Sequence, residues 1–131
     1  MKCPNCKKEM VVLELDKVEI DHCLLCGGIW LDEGELELLL EGASEKNKLL
    51  ASFKINKKID EKKRKCPACG KKMYKVLCDM EKKVLIDSCS KNHGLWFDRG
   101  ELDQLLEMGG IENNSKIYSF LKDLFGKKVL E

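Results

Sequence analysis

Cys23-Leu-Leu-Cys26-Gly-Gly-Ile-Trp30-Leu-Asp32-Glu-Gly34-Glu35-Leu36 decides the fold, because the same pattern occurs again further along. The second copy reads Cys89-Ser-Lys-Asn-His93-Gly94-Leu-Trp96-Phe-Asp98-Arg-Gly100-Glu101-Leu102. Cysteine to tryptophan is seven residues in both copies, and tryptophan to leucine is six. A second cysteine pair precedes each copy, Cys3-Pro-Asn-Cys6 and Cys66-Pro-Ala-Cys69. A self-similar period identifies the folding unit before any element is assigned. The unit here is small, roughly 40 residues, a size at which a chain usually needs a metal, disulfides or a partner to fold.

The eight cysteines separate those options. Cys3 follows Met1-Lys2 directly, with no apolar leader, and no apolar run is long enough to span a membrane. The expectation is a reducing, cytoplasmic setting, where paired CxxC motifs read as metal sites rather than a disulfide framework. Cys3, Cys6, Cys23 and Cys26 form one set. Each CxxC turns two thiolates toward one point, and the sixteen residues between Cys6 and Cys23 suffice for one hairpin. Four thiolates in a tetrahedron suit zinc. The second set has Cys66, Cys69 and Cys89, but Asn92 stands where the first has Cys26. His93 lies one residue beyond, and imidazole is longer than a thiol, so His93 can complete the tetrahedron. A rubredoxin-like iron centre needs four thiolates; one repeat with a histidine favours zinc in both, two ions per chain.

Around these sets the pattern predicts an α+β chain. Residues 10–15 and Val18 to His22 make one hairpin; Met73 to Cys78 and Val84 to Asp87 make the other, with three extra residues at its tip. A short helix follows each tryptophan. Asp32 with Glu35, and Asp98 with Glu101, have the spacing of an N-cap and its reciprocal partner. Leu36, Leu39 and Leu40, and likewise Leu102, Leu105 and Leu106, form one apolar face per helix. Gly42 and Gly109 are expected helix stops. Gly34 and Gly100, in the first helical turns, are expected to admit a closely packed tryptophan ring. The predicted organisation is ribbon and helix over 1–43, a charged and partly helical linker over 44–64, ribbon and helix over 65–110, and an amphipathic helix over 111–131. The linker helix is expected over 44–58, with Ser44 as its cap. In the terminal helix Ile117, Phe120, Leu121, Leu124 and Phe125 share a face.

Other residues have modest expected roles. Cys78 is a small core hydrophobe, with a reactive thiol as the alternative. His22 neighbours Cys23 on a strand and should face away from the metal. Trp30 and Trp96 are expected in the core, with a base-stacking platform as the alternative.

The segment CPxC…IDxCxxCGGIWLDxGEL, carried by Cys3 to Leu36, resembles the zinc ribbons of the transcription factor IIB type. Cys66 to Leu102, ending HGLWFDRGEL, resembles a histidine variant of the same ribbon. In transcription factor IIB the ribbon docks onto RNA polymerase, so the resemblance implies a contact with RNA polymerase or another transcription component.

The net charge is +1, but residues 54–65 carry a local +5. That stretch reads as a solvated linker or as a strap for an acidic partner or phosphate backbone. Three functions follow. The first is a zinc-binding adaptor for a protein partner. The second is a nucleic-acid-binding regulator, opposed by the near-zero net charge and 6% aromatic content. The third is a thiol redox or metal-handling protein. Catalysis is not expected: both sets fill four positions, whereas catalytic zinc keeps one open.

Overall fold

The computed structural model describes residues 1–15, 18–56, 64–111 and 119–120. β1 (Val11–Leu15) and β2 (Val18–His22) form the first hairpin, with Leu13 opposite Ile20 and Leu15 opposite Val18. β3 (Ile29–Asp32) adds beside β2. α1 (Glu35–Leu39) and α2 (Lys46–Ala51) follow, then β4 (Phe53–Ile55). β5 (Tyr74–Asp79) and β6 (Lys83–Ser88) form the second hairpin, β7 (Gly94–Phe97) adds to it, and α3 (Glu101–Met108) follows. The extra residues, Met80 to Lys82, sit at the hairpin tip as expected.

All seven strands join one antiparallel sheet, ordered β1-β2-β3-β7-β6-β5-β4. The two ribbons meet through β3 and β7. Trp30 stands opposite Trp96, Ile29 opposite Phe97 and Leu31 opposite Leu95. Because Trp30 and Trp96 are the same position of the repeat, this pairing is a pseudo-twofold. Each ribbon's third strand would be an open edge, and the other ribbon covers it.

The sheet is buried on both faces at this seam. On one face α1, α2 and α3 close a core that includes Ile29, Leu31, Leu36, Leu49, Ile86, Phe97 and Leu105. On the other face Trp30 and Trp96 pack with Met10, Met73, Cys3, Cys23, Cys66 and Cys89. Alternation along β3 explains this: Trp30 points one way, Ile29 and Leu31 the other.

Four expectations are corrected. The linker helix ends at Ala51 instead of reaching residue 58. The Ser52 hydroxyl and N–H both donate to the Leu49 carbonyl, and Phe53–Ile55 pair with β5. The open edge of β5 supplies hydrogen bonds that outweigh the local helical pattern. Its N-cap is Glu45 rather than Ser44, without a side-chain cap bond.

The capping boxes are half formed. Glu35 and Glu101 accept from the N–H groups of Asp32 and Asp98 at 2.6 and 2.7 Å. The aspartates do not cap the helices. They accept instead from the indole N–H of Trp30 and Trp96, at 2.9 and 3.2 Å.

The N-caps are Gly34 and Gly100, at φ +88° and +86°. No ring lies against either; these glycines are needed for the left-handed backbone. Gly42 also has positive φ, at +80°. Gly109 is the C-cap of α3, and Leu40 and Leu49 lie against it, 2.7 and 3.1 Å from where a Cβ would stand. Of the terminal helix, residues 112–118 and 121–131 fall outside the described residues, as do residues 57–63 of the basic stretch. Ser119 and Phe120 are helical, and Phe120 packs against the core.

Candidate metal centres

Each set of ligands comes from two turns. Cys3 N–H donates to the Lys8 carbonyl and Lys7 N–H to the Cys3 carbonyl, at 2.8 and 2.9 Å. The turns at Cys23 and Cys66 repeat this, with Gly27 and Gly70 in the place of Lys7. All three of those residues have positive φ, from +64° to +83°. Backbone N–H groups within each turn point at the first thiolate. Asn5 and Cys6 donate to Cys3 Sγ at 3.3 and 3.2 Å, and Ala68 donates to Cys66 Sγ at 3.3 Å.

The fourth turn is different. Asn92 N–H donates to the Cys89 carbonyl at 3.0 Å, closing one residue earlier than its counterparts. Asn92 takes the positive φ, +61°. The next residue, His93, then turns back and sets Nδ1 3.3 Å from Cys89 Sγ. The early closure is why histidine stands one position late.

The structure brings Cys3, Cys6, Cys23 and Cys26 together, and separately Cys66, Cys69, Cys89 and His93, each set with its donor atoms within 4.8 Å of one another. Cys3 Sγ to Cys26 Sγ, and Cys69 Sγ to Cys89 Sγ, are both 3.7 Å. A tetrahedron with metal–sulfur bonds of about 2.3 Å has edges of about 3.8 Å. The donor sets therefore fit two zinc ions without rearrangement.

The thiols are held at different acidities. Burial pushes Cys3 up to about 12 and Cys66 up to about 11. Burial acts on Cys23 and Cys89 too. There, backbone N–H donors outweigh it, from Cys26 and Leu25 in one case and His93 and Lys91 in the other, and bring each down to about 7. Zinc bound here replaces thiol protons, so binding releases protons.

His22 is buried on β2 and belongs to neither ligand set. Cys78 is fully buried in the helix-side core. Burial raises its thiol above the ordinary value, although Ser52 Oγ lies 3.3 Å away. Trp30 and Trp96 are 0% exposed, which leaves no face for a base to stack on.

Two residue pairs were not legible as site residues. A Cβ on Gly28 would fall inside the ring of Trp96, and a Cβ on Gly94 would stand 2.6 Å from the ring of Trp30 and against the Leu31 carbonyl. Gly28 and Gly94 are equivalent in the repeat, and that coincidence was the available signal. The charged cluster beside the second ribbon was also missed. Lys75 meets Asp87 at 2.8 Å with both side chains buried, and Arg64 meets Asp98 at 2.7 Å and Asp87 at 3.3 Å.

Paired hairpin turns, four closed donors per set and a three-stranded unit repeated once define a tandem zinc ribbon. The transcription factor zinc-finger family matches residues 2–42 and 65–108, well over half of the chain, and the chain belongs to that family. No curated protein and no solved structure matches it. No helix among the described residues is long and apolar enough to cross a membrane.

Proposed function

We propose that this zinc-binding module is a non-catalytic adaptor that docks on a protein partner of the transcription machinery. One observation carries the reading: each metal set closes with four protein donors and is built into the fold, its first cysteines lying in the same core as both tryptophans. Metal so placed holds a surface in shape and has no position left for a substrate. Leu24 and Leu25, at the tip of the first ribbon's knuckle, are 62% and 70% exposed. Adjacent exposed leucines on a metal-rigidified turn suit a protein contact. The family's description as a transcription factor zinc-finger supports the choice of partner class.

Capture from the native cell tests the proposal, with RNA polymerase subunits scored explicitly. Recovery that depends on zinc and falls in Leu24→Ser/Leu25→Ser supports it. Recovery of nucleic acid alone, with affinity that drops steeply as salt rises, favours the regulator reading drawn from the basic stretch at 54–65.

A further inference from the structure

The pseudo-twofold relates the two ribbons closely enough for their differences to be read as information. On one side of the seam, Arg99 follows the second ribbon's tryptophan strand and lays its stem along Gly27 of the first. Its Cβ, Cγ and Cδ are 3.0–3.1 Å from where a Cβ on Gly27 would stand. On the other side the position equivalent to Arg99 is Glu33. Its N–H donates to the His93 carbonyl at 3.0 Å, which keeps the backbone seam closed while its carboxylate is exposed.

Beside Glu33 lies a cleft of about 370 Å³. Its rim is acidic, from Asp32, Glu33 and Glu37, and its apolar wall comes from Leu36, Phe53 and Leu95. Phe53 and Leu95 are half-buried, so part of each faces the cleft opening. None of the described residues lining it is basic. The volume is that of a pocket for a few side chains.

We infer that this cleft binds a segment of a partner protein carrying an arginine or lysine next to an apolar anchor. The inference deepens the adaptor reading and rests on it. The Glu33 and Glu37 carboxylates select a cation, with Asp32, one oxygen of which is held by the Trp30 indole N–H, beside them; Phe53 and Leu95 take the apolar neighbour. By the pseudo-twofold, Arg99 against Gly27 corresponds to Glu33 beside His93, so the second ribbon presents a cation where the first presents a carboxylate at the edge of the cleft. A phosphate backbone is repelled by the same rim.

The test uses the full, zinc-loaded protein and a labelled short peptide in which arginines flank a leucine. The control peptide has glutamates in place of the arginines. Binding should be seen for the first peptide only, should weaken as salt is raised, and should move the NMR resonances of Glu33, Glu37 and Leu95. Glu33→Lys/Glu37→Lys should weaken it by about tenfold or more. Glu33→Arg should also block it, by replacing a rim carboxylate with the cation that the equivalent position of the second ribbon carries. Zinc content is measured in each variant, and two ions per chain show that the ribbons are intact. The inference is overturned by equal binding to the wild type and both variants, by absence of binding, by binding of the glutamate peptide, or by shifts confined to other surfaces. A negative peptide result beside a positive capture from cells removes this cleft and leaves the adaptor reading standing. A captured partner that binds Glu33→Arg as well as wild type places its contact elsewhere and removes the cleft in the same way.

Discussion

The indole of Trp96 occupies the space that a side chain on Gly28 would need, and by the pseudo-twofold the indole of Trp30 lies over Gly94. Each ribbon thus inserts its tryptophan above the glycine at the start of the other's third strand, just before β3 for Gly28 and first in β7 for Gly94. Both rings are fully buried. The metal-side core is therefore shared, and neither ribbon completes it alone.

Gly28→Ala forces the Trp96 ring out of its seat, with an expected loss of about 1–3 kcal/mol from overpacking. Gly94→Ala meets a backbone carbonyl as well and should lose more. Gly34→Ala meets only Glu37 Oε2, at an ordinary 3.9 Å, but its left-handed φ imposes a smaller loss of about 1–2 kcal/mol. Urea unfolding in the presence of zinc measures all three. Gly28→Ala as stable as wild type would remove the shared-core account.

Zinc removal should unfold the chain. Structural zinc in finger-sized peptides contributes roughly 10–16 kcal/mol of apparent binding energy, against about 5–15 kcal/mol of net stability for an ordinary domain. Elemental analysis should find two zinc ions per chain, and chelation should bring both tryptophans into water and shift their emission to the red.

His93→Ala should release one zinc, and the loss should be felt across the seam. Disorder of the second ribbon frees Trp96 from Gly28, so the remaining ion should pass to a chelator faster than from wild type. Asn92→Ala should keep both ions but lose about 1 kcal/mol or slightly more, because alanine at φ +61° is strained. Asn92→Gly should be near neutral. Two tightly held zincs in His93→Ala would show that the second set closes without this histidine.

Lys75 and Asp87 form a buried ion pair, their side chains only 6% and 2% exposed. Lys75→Met leaves Asp87 short of its nearest cation, and breaking such a pair typically destabilises by about 3–5 kcal/mol. Adding Asp87→Leu should recover part of that loss, since the buried charge leaves with its partner. A double variant less stable than Lys75→Met would contradict this reading. The first ribbon, with Val12 and Asp21 at these positions, has no such pair.

Glu101 gives stability a pH dependence. Burial pushes its carboxyl to about 7 from an ordinary 4.5. The charges of Asp98 and Asp87 contribute to that rise, while the Asp98 N–H and Lys75 oppose it. Between those values the folded chain holds a proton that the unfolded chain has lost. Its contribution to stability therefore falls as pH rises through the window, and is level above it. Glu101→Gln removes the charge and keeps an oxygen for the Asp98 N–H. It should flatten this part of the profile and gain on wild type at about pH 8 more than at about pH 6. Equal differences at the two pH values would show that Glu101 is not the titrating group.

The ligand sets, the hairpins and the leucine faces were legible because each rests on short-range spacing. Two residues between cysteines, alternation along a strand and a 3.6-residue period are local geometry, and local geometry is written in consecutive residues. Cys3 with Cys26 and Cys69 with Cys89 came together as the spacing implied. Where local pattern met a longer-range demand, it lost. The helical pattern of 44–58 gave way at Phe53, because the edge of β5 offered backbone hydrogen bonds. The capping aspartates turned to the tryptophans, and glycines with positive φ took the helix starts. The joining of β3 to β7 had no local signature at all, since backbone N–H and C=O groups are the same in every residue and any exposed edge can pair. That Trp30 faces Trp96 was settled by packing: only one alignment places each indole over a residue with no side chain.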